Sequence, residues 1–391
     1  MWRLYNRKDL LMNKKKLGLA NVVSISVGLV VATSCLVSLG EGSGTLGVTF
    51  ILAMAIAMLL NMTTVASLSE LNALMPNTTG GLAQYTLAAI GPLPTLVSMV
   101  GGYIICNTMS CGVEASIFSF SLADTIGGNI PSIVYTFIMT FIILLANLRG
   151  VDMFAKIQDI VAFLLVGSLV VMGFIGMIGA GMGAKVDQPF VLEADFKGIA
   201  SMTAVAFWLF IGAEYAIPIS KEVKNAKRNV PLGMMIGLFL IFIMQSVMVF
   251  GFHNYVEWGK LADSAAPHLL YGYAILGKFG KIWMMLVGAL AVISTQNSTV
   301  NSLAVICQGM AKMNMMPKIF AKTNKYKVPW FGQVFVSAAI FLFAFVSNNS
   351  ADMIDFLILA GSVIWMVSYI LAHIDVLVFC LLYTSPSPRD A

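Results

Sequence analysis

The fold is decided by the stretch at residues 204–231, which reads AVAFWLFIGAEYAIPISKEVKNAKRNVP. Its first half is apolar except for one carboxylate, Glu214. Gly212 stands just before that glutamate and Pro218 just after it, and a proline removes a backbone donor and disfavours helical geometry at the preceding residue. An acid inside an apolar run is costly, so such residues mostly face a bundle interior or a watery cavity. The stretch therefore predicts a broken helix that carries a buried acid.

The whole chain has the composition of a membrane protein. Of its 391 residues, 59% are hydrophobic and only 10% are charged, which is too apolar for a soluble core of this size. A helix needs about 20 residues to cross a bilayer. Ten charge-poor runs approach or exceed that length, and because they are continuous rather than alternating, we predict an all-α polytopic fold. The runs lie at about 18–39, 46–69, 95–122, 130–147, 159–182, 199–219, 232–252, 282–311, 332–347 and 354–379.

The loop charges predict the orientation of these spans. If the N-terminus is cytoplasmic, seventeen Lys and Arg residues lie in inner segments and five in outer loops, in agreement with the positive-inside rule. We therefore predict a multi-pass protein of the cytoplasmic (bacterial inner) membrane, with residues 1–16 as a cytoplasmic N-terminal segment. The net charge of +5 then reports topology and does not indicate a nucleic-acid partner.

No arrangement typical of an enzyme or a metal site is found in the sequence. The five cysteines lie within or at the end of apolar runs, and His253, His268 and His373 have no ligand spacing. We expect no enzymatic activity, no cofactor and no disulfide framework.

Both ends of the chain need separate interpretation. Met12 is an alternative to Met1 as the true start. The last residues, CLLYTSPSPRDA at 380–391, resemble a translated sequencing adapter, and we expect them to play no part in function.

Span one is interrupted in a place comparable to span six. Gly28 is followed by the small polar set Ala32-Thr33-Ser34 and then by LGEGSGTLG at 39–47. Broken first and sixth spans indicate an inverted five-plus-five repeat with a binding site near the membrane midplane. We therefore predict that residues 17–379 form one core, with spans 1–5 and 6–10 as inverted repeats.

Four motifs resemble those of a known family, the amino acid-polyamine-organocation (APC) permeases. ELNALMPNTTGGLAQYTLAAIGP at 70–92 resembles the family's loop after span two. NLRGVDMFAKIQ at 147–158 precedes span five, FIGAEYAIPISKEVKNAKRNVP at 210–231 covers span six, and QGMAKMNMMPKIFAK at 308–322 follows span eight. The resemblance covers residues 14–379. The matching residues of the first motif are Glu70, Pro76, Gly80, Gly81, Tyr85, Gly91 and Pro92.

The resemblance implies a LeuT-like core in which spans one and six unwind at the substrate. Free amides at a half-helix N-terminus attract a carboxylate, while free carbonyls take an ammonium or a cation. Family members usually have twelve spans, so the resemblance implies that two are missing here. The substrate-binding residues that it implies are Ala32, Thr33, Ser34 and Cys35 of span one and Leu209, Phe210, Ile211 and Gly212 of span six.

The chain departs from the family pattern at two places. Span one has no Gly-Ser-Gly at its break, and Leu165 stands where several members have a lysine, so we expect no lysine-based proton switch. Span eight supplies hydroxyls that could join span-one carbonyls around Na⁺; alternatively, they only pack helices. These hydroxyls belong to Ser294, Thr295, Ser298 and Thr299, and Ser298 and Thr299 are the candidate Na⁺ ligands.

Three further side chains are candidates for function. Glu214 either loads and releases a proton or is a structural acid. Glu114 shares a polar stripe on span three with Asn107 and with Ser110 or Cys111; the stripe either lines the pocket, favouring a cationic or hydroxylated substrate side chain, or forms interhelical bonds. Trp208 is either a gating aromatic or an ordinary core or interfacial tryptophan.

These observations predict a secondary active transporter of amino acids or related amines that works by alternating access. H⁺ or Na⁺ coupling, or exchange against a second solute, would supply the energy. The alternative is a transport-inactive sensor on the same scaffold. A channel is disfavoured, because broken helices around one midplane site suit alternating access better than a continuous pore.

Overall fold

The computed structural model describes residues 16–75, 82–126, 130–190, 192, 195–264, 266–347 and 351–384. Residues 1–15 of the predicted N-terminal segment, Met1 and Met12 among them, lie outside the described residues. So do Pro76, Gly80 and Gly81 of the first motif and residues 385–391 of the predicted adapter segment. The last helix continues through Cys380 to Thr384.

The described residues form helices and one isolated β-bridge. Short 3₁₀ turns at Gly47–Thr49, Ala213–Ala216, Ser220–Glu222 and Lys318–Ala321 and a π-helix at Val97–Ile105 join or extend the α-helices. In chain order the α-helices are α1 (Leu19–Val30), α2 (Thr33–Leu46), α3 (Phe50–Leu74), α4 (Leu82–Ile90), α5 (Pro92–Leu96), α6 (Cys106–Ile126), α7 (Ser132–Asn147), α8 (Val151–Met177), α9 (Phe196–Trp208), α10 (Ala226–Tyr255), α11 (Trp258–Ala262), α12 (Pro267–Lys312), α13 (Trp330–Ser347) and α14 (Ala351–Thr384).

The helix lengths confirm a multi-pass membrane protein. In the described part of the chain, eight helices are long and apolar enough to cross a bilayer, and α1 and α7 are two shorter apolar helices. Each of the ten predicted runs falls on one of these elements. The eighth prediction was wrong in its start, because α12 begins at Pro267 and bends at Gly277, where φ is +61°. The inverted repeat stays a prediction.

Span one is broken between α1 and α2. Val31 and Ala32 leave helical geometry, and Ala32 has φ −98° and ψ 167°. The predicted unwound segment was placed too late, because Thr33, Ser34 and Cys35 already form the first turn of α2. That turn is helical while its amides lack intrahelical acceptors, so the polarity expected of an unwound strand is still present.

Span six is broken after Trp208. The chain turns through Leu209 to Gly212, where φ is +115°, and continues as a 3₁₀ turn. A Cβ on Gly212 would overlap the Leu29 side chain at the end of α1. The glycine therefore permits both the backbone angle and the close approach of the two breaks.

The two broken spans meet inside the bundle. Helix α1 packs against α8, α10 and α12, while α2 packs against α9, α11 and α12. At one end of the bundle, the segment before α1 pairs with the segment after span six: Leu17 N donates to Glu222 O, and Lys224 N donates to Leu17 O, both at 2.8 Å. This β-bridge ties the first half of span one to the sixth span.

Candidate functional site

A small cavity lies where the two breaks face span three. Its volume is about 20 Å³, enough for about one water. The bundle is therefore closed around it. The lining residues are Leu29, Val30, Ala32 and Cys35 of span one, Asn107, Ser110, Cys111 and Glu114 of span three, Trp208 and Ile211 of span six, Thr295 of span eight and Trp365 of span ten.

A chain of hydrogen bonds joins three spans at this cavity. Trp208 Nε1 donates to Ser34 Oγ at 3.0 Å, and Ser34 Oγ donates to Glu114 Oε1 at 2.7 Å. The Trp208 side chain thus faces the interior of the bundle, where its ring stands edge-on to Trp365 at 6.1 Å. Trp208 thus lines the cavity, and its role as a gating aromatic stays a prediction.

Glu114 has one satisfied and one unsatisfied oxygen. Its side chain is only 2% exposed, Oε1 accepts from Ser34, and Oε2 has no hydrogen-bond partner among the described residues. A buried acceptor without a partner is costly. An ammonium or a hydroxyl group in the cavity would satisfy it.

The polar stripe predicted on span three does lie along the cavity. Asn107 Nδ2 donates to the backbone of Tyr103 at 2.8 Å, and Cys111 Sγ donates to Thr299 Oγ1 at 3.2 Å. Ser110 Oγ has no hydrogen-bond partner. The stripe therefore presents Ser110 Oγ and Glu114 Oε2 as the groups with unused hydrogen-bonding capacity.

Glu214 lies beside this cavity and is held by span ten. Trp365 Nε1 donates to Glu214 Oε1 at 3.3 Å, and Tyr369 OH donates to Oε2 at 2.9 Å. The same hydroxyl accepts from Gly212 N at 3.3 Å. Span ten therefore braces both the acid and the break of span six.

Sequence reasoning missed Trp365 and Tyr369. Trp365 and Tyr369 stand three or four residues from Ser368 and Ala372, so these side chains lie on one face of α14. This spacing was the available signal.

The four hydroxyls of span eight have different surroundings. Thr295 lines the cavity, Thr299 bonds span three, and Ser298 Oγ is buried without a partner. Ser294 Oγ accepts from Gln158 Nε2 at 2.6 Å, and the same amide reaches the Ser24 carbonyl at 3.5 Å. An amide donor of span five thus stands between these two oxygens of spans one and eight. Na⁺ binding at Ser298 and Thr299 stays a prediction.

The remaining implied residues surround the cavity without lining it. Thr33 Oγ1 donates to the Gly288 carbonyl at 3.5 Å, and the Leu209 carbonyl accepts from Gln245 at 3.5 Å. Phe210 is fully buried in the core beside Gly212.

Asp375 and His268 are both buried. Asp375 is 1% exposed and accepts from Thr86 Oγ1 at 2.7 Å. His268 is 3% exposed and lies near the start of α12, outside the predicted run at 282–311. Its burial could therefore not be read from the length of that apolar run.

The fold and the site together define a multi-pass membrane protein in which two broken helices meet at a small cavity lined by polar and apolar side chains. The chain belongs to the amino acid permease family, whose model matches residues 21–388.

Several curated relatives are named as amino acid or amine transporters. The arginine/ornithine antiporter of Latilactobacillus sakei is 24% identical over 89% of this chain and 80% of its own length. A putative arginine/ornithine antiporter of Bacillus subtilis is 27% identical over 43% of this chain and 36% of its own length. The putrescine transporter PotE of Escherichia coli is 25% identical over 64% of this chain and 57% of its own length. The chain thus covers little more than a third of the Bacillus relative.

Proposed function

We propose that this protein is a secondary active transporter that moves amino acids or related amines across the cytoplasmic membrane by alternating access. The observation that carries the proposal is the small cavity between the two broken helices, which polar and apolar side chains line together. The family and the names of the relatives support it.

The cavity offers complementary groups to both ends of an amino acid. The first-turn amides of α2, at Thr33, Ser34 and Cys35, lack intrahelical acceptors and favour a carboxylate. Leu29, at the end of α1, lies on the opposite side of the break, where the negative end of the helix dipole favours an ammonium. The Val30 carbonyl already accepts from Ala32 N at 3.0 Å and from Cys35 Sγ at 2.8 Å. An α-amino acid would therefore lie across the break of span one.

Glu114 favours a substrate that carries a second positive charge. Its Oε2 has no partner, and a charge-assisted hydrogen bond to an ammonium or guanidinium would satisfy it. Neutralising a buried carboxylate with the substrate's own charge also offsets the cost of burying both groups. We therefore place cationic amino acids and diamines first among the substrate classes. The names of the antiporter and putrescine relatives agree with this order.

The cavity is too small for an amino acid while the bundle is closed. Entry requires the Trp208 ring to leave Ser34, so Trp208 acts as the gate. Glu214 couples this movement to span ten through Trp365 and Tyr369. H⁺, Na⁺ or a counter-transported solute supplies the energy, and the N-terminus faces the cytoplasm.

Reconstituted flux tests the proposal. The purified protein is reconstituted in liposomes that are loaded with unlabelled arginine, ornithine, putrescine, methionine or leucine. Uptake of the labelled compounds is then measured with and without H⁺ and Na⁺ gradients. We expect uptake of at least one cationic compound, abolished by Trp208→Ala. Saturable binding without uptake in any condition would contradict transport and support the sensor alternative.

A further inference from the structure

An open basic pocket lies at the end of the bundle that is predicted to face the cytoplasm, away from the substrate cavity. It has a volume of about 720 Å³ and lies between the segment before α1 and the start of α10. Four cationic side chains line it, and its remaining lining is small or polar. The four cations are Lys16, Lys221, Lys227 and Arg228.

The positive charge of this pocket is not compensated. None of the four cations forms an ion pair within the described part of the chain. Glu222 does not line the pocket. The pKa of Lys221 lies below its usual value because partial burial disfavours the ammonium and because Lys312 repels it. An anion in the pocket would relieve both effects.

A separate groove, lined by apolar side chains, is formed by α1, α8 and α10. It has a volume of about 340 Å³ and is lined by Val23, Gly167 and Met244 among others. That volume is within the range of ligand-binding pockets, roughly 300–1,000 Å³.

The pocket and the groove are aligned along α10. Ala226 of the pocket and Met244 of the groove are 18 residues apart, or about five turns, and therefore lie on the same face. On α10 the groove begins at Leu240, 12 residues from Arg228 of the pocket, or about 18 Å at 1.5 Å per residue. Half of a bilayer, headgroup region included, measures about 20–22 Å, so an acyl chain whose headgroup is in the pocket reaches the groove.

We propose that the basic pocket binds the phosphate of an anionic phospholipid whose acyl chain lies in the apolar groove. Lys and Arg near a membrane surface attract anionic lipids by about 1 kcal/mol each, which is about fivefold in affinity. The bound headgroup joins Lys16 to the segment of Lys221. These are the two segments already paired through Leu17 and Val223, so the lipid stabilises the closed end of the bundle.

The test compares lipid binding to the purified full chain and to two matched charge variants. Delipidated protein in detergent is titrated with phosphatidylglycerol or phosphatidylcholine, and bound lipid is counted by native mass spectrometry. One variant carries Lys221→Gln, Lys227→Gln and Arg228→Gln. The control carries Lys318→Gln, Lys322→Gln and Lys325→Gln, which removes three charges from another loop at the same predicted side.

We expect the wild-type chain to prefer phosphatidylglycerol, the pocket variant to lose more than tenfold in its affinity, and the control less than twofold. An equal loss in both variants would show general surface attraction and overturn the site, as would the absence of any preference in the wild type. If the triple variant cannot be purified, Lys221→Gln alone is expected to lose about fivefold, and no loss overturns the site.

A groove variant separates a lipid from a soluble phosphate. A Cβ at Gly167 meets nothing within 4 Å, so Gly167→Leu fills the groove without disturbing the helix packing. We expect it to weaken phosphatidylglycerol binding at least threefold. Unchanged binding would show that the acyl chain does not lie in the groove. Millimolar inorganic phosphate could instead displace the lipid and stabilise the protein against heat as much as the lipid does. That result would assign the pocket to soluble phosphates and overturn the proposal of a lipid site.

Discussion

Replacing Glu114 with glutamine tests how the cavity selects its substrate. The change keeps the size of the side chain and leaves a carbonyl oxygen that can still accept from Ser34, at 2.7 Å in the wild type. It removes only the charge on the side of Oε2, which has no partner in the protein. A hydrogen bond to a charged group is worth about 1.5–3 kcal/mol, so we expect a loss of about 10- to 100-fold in affinity for a cationic side chain.

The assay is competition for uptake in liposomes, with arginine, ornithine and putrescine compared against methionine and leucine. Neutral amino acids should lose less than threefold, because their α-ammonium is assigned to the end of α1 rather than to Glu114. Glu41→Gln is the matched control, since Glu41 is exposed and lies outside the cavity. An equal loss for cationic and neutral substrates would refute the reasoning and leave Glu114 as an interhelical bond to Ser34.

Three other substitutions test the architecture of the site. Gly212→Ala should destabilise the protein by about 1–3 kcal/mol and abolish uptake, because φ is +115° there and a Cβ would overlap Leu29. Thermal unfolding measures the loss, with Gly167→Ala as the control, because a Cβ at Gly167 meets nothing within 4 Å. Equal melting temperatures of the two variants would contradict the prediction. Gln158→Leu should lower the melting temperature, because its two side-chain bonds to span eight leave buried partners unsatisfied, at about 1–3 kcal/mol each. Glu214→Gln should flatten the pH dependence of uptake, and a fully retained pH profile would show that this acid carries no proton during turnover.

Much of the architecture could be predicted because it depends on local chemistry. Gly212 and Pro218 announce the break of span six by their backbone properties alone. The stripe from Asn107 to Glu114 could be predicted from helical spacing, since residues three or four apart share a face.

The contacts of span ten could not be predicted in the same way. Trp365 and Tyr369 sit in an apolar run, where aromatic side chains serve lipid contact and core packing equally well. Their role depends on tertiary packing that brings α14 to Glu214. The break of span one was displaced for a related reason: without a glycine at Ala32 to Ser34, only the surrounding helices determine where α1 ends.

The two membrane-embedded acids differ in their partners, and that difference separates their roles. Both are 2% exposed. Glu214 accepts a hydrogen bond on each oxygen, from Trp365 and from Tyr369, so it needs nothing from the cavity to be satisfied. Glu114 accepts on one oxygen only, and its other oxygen has no protein partner. A satisfied acid stabilises one arrangement of helices, and its release costs bonds that must form again elsewhere. An unsatisfied acid gains its missing bond from a ligand. We therefore assign substrate charge to Glu114 and movement of the broken helices to Glu214.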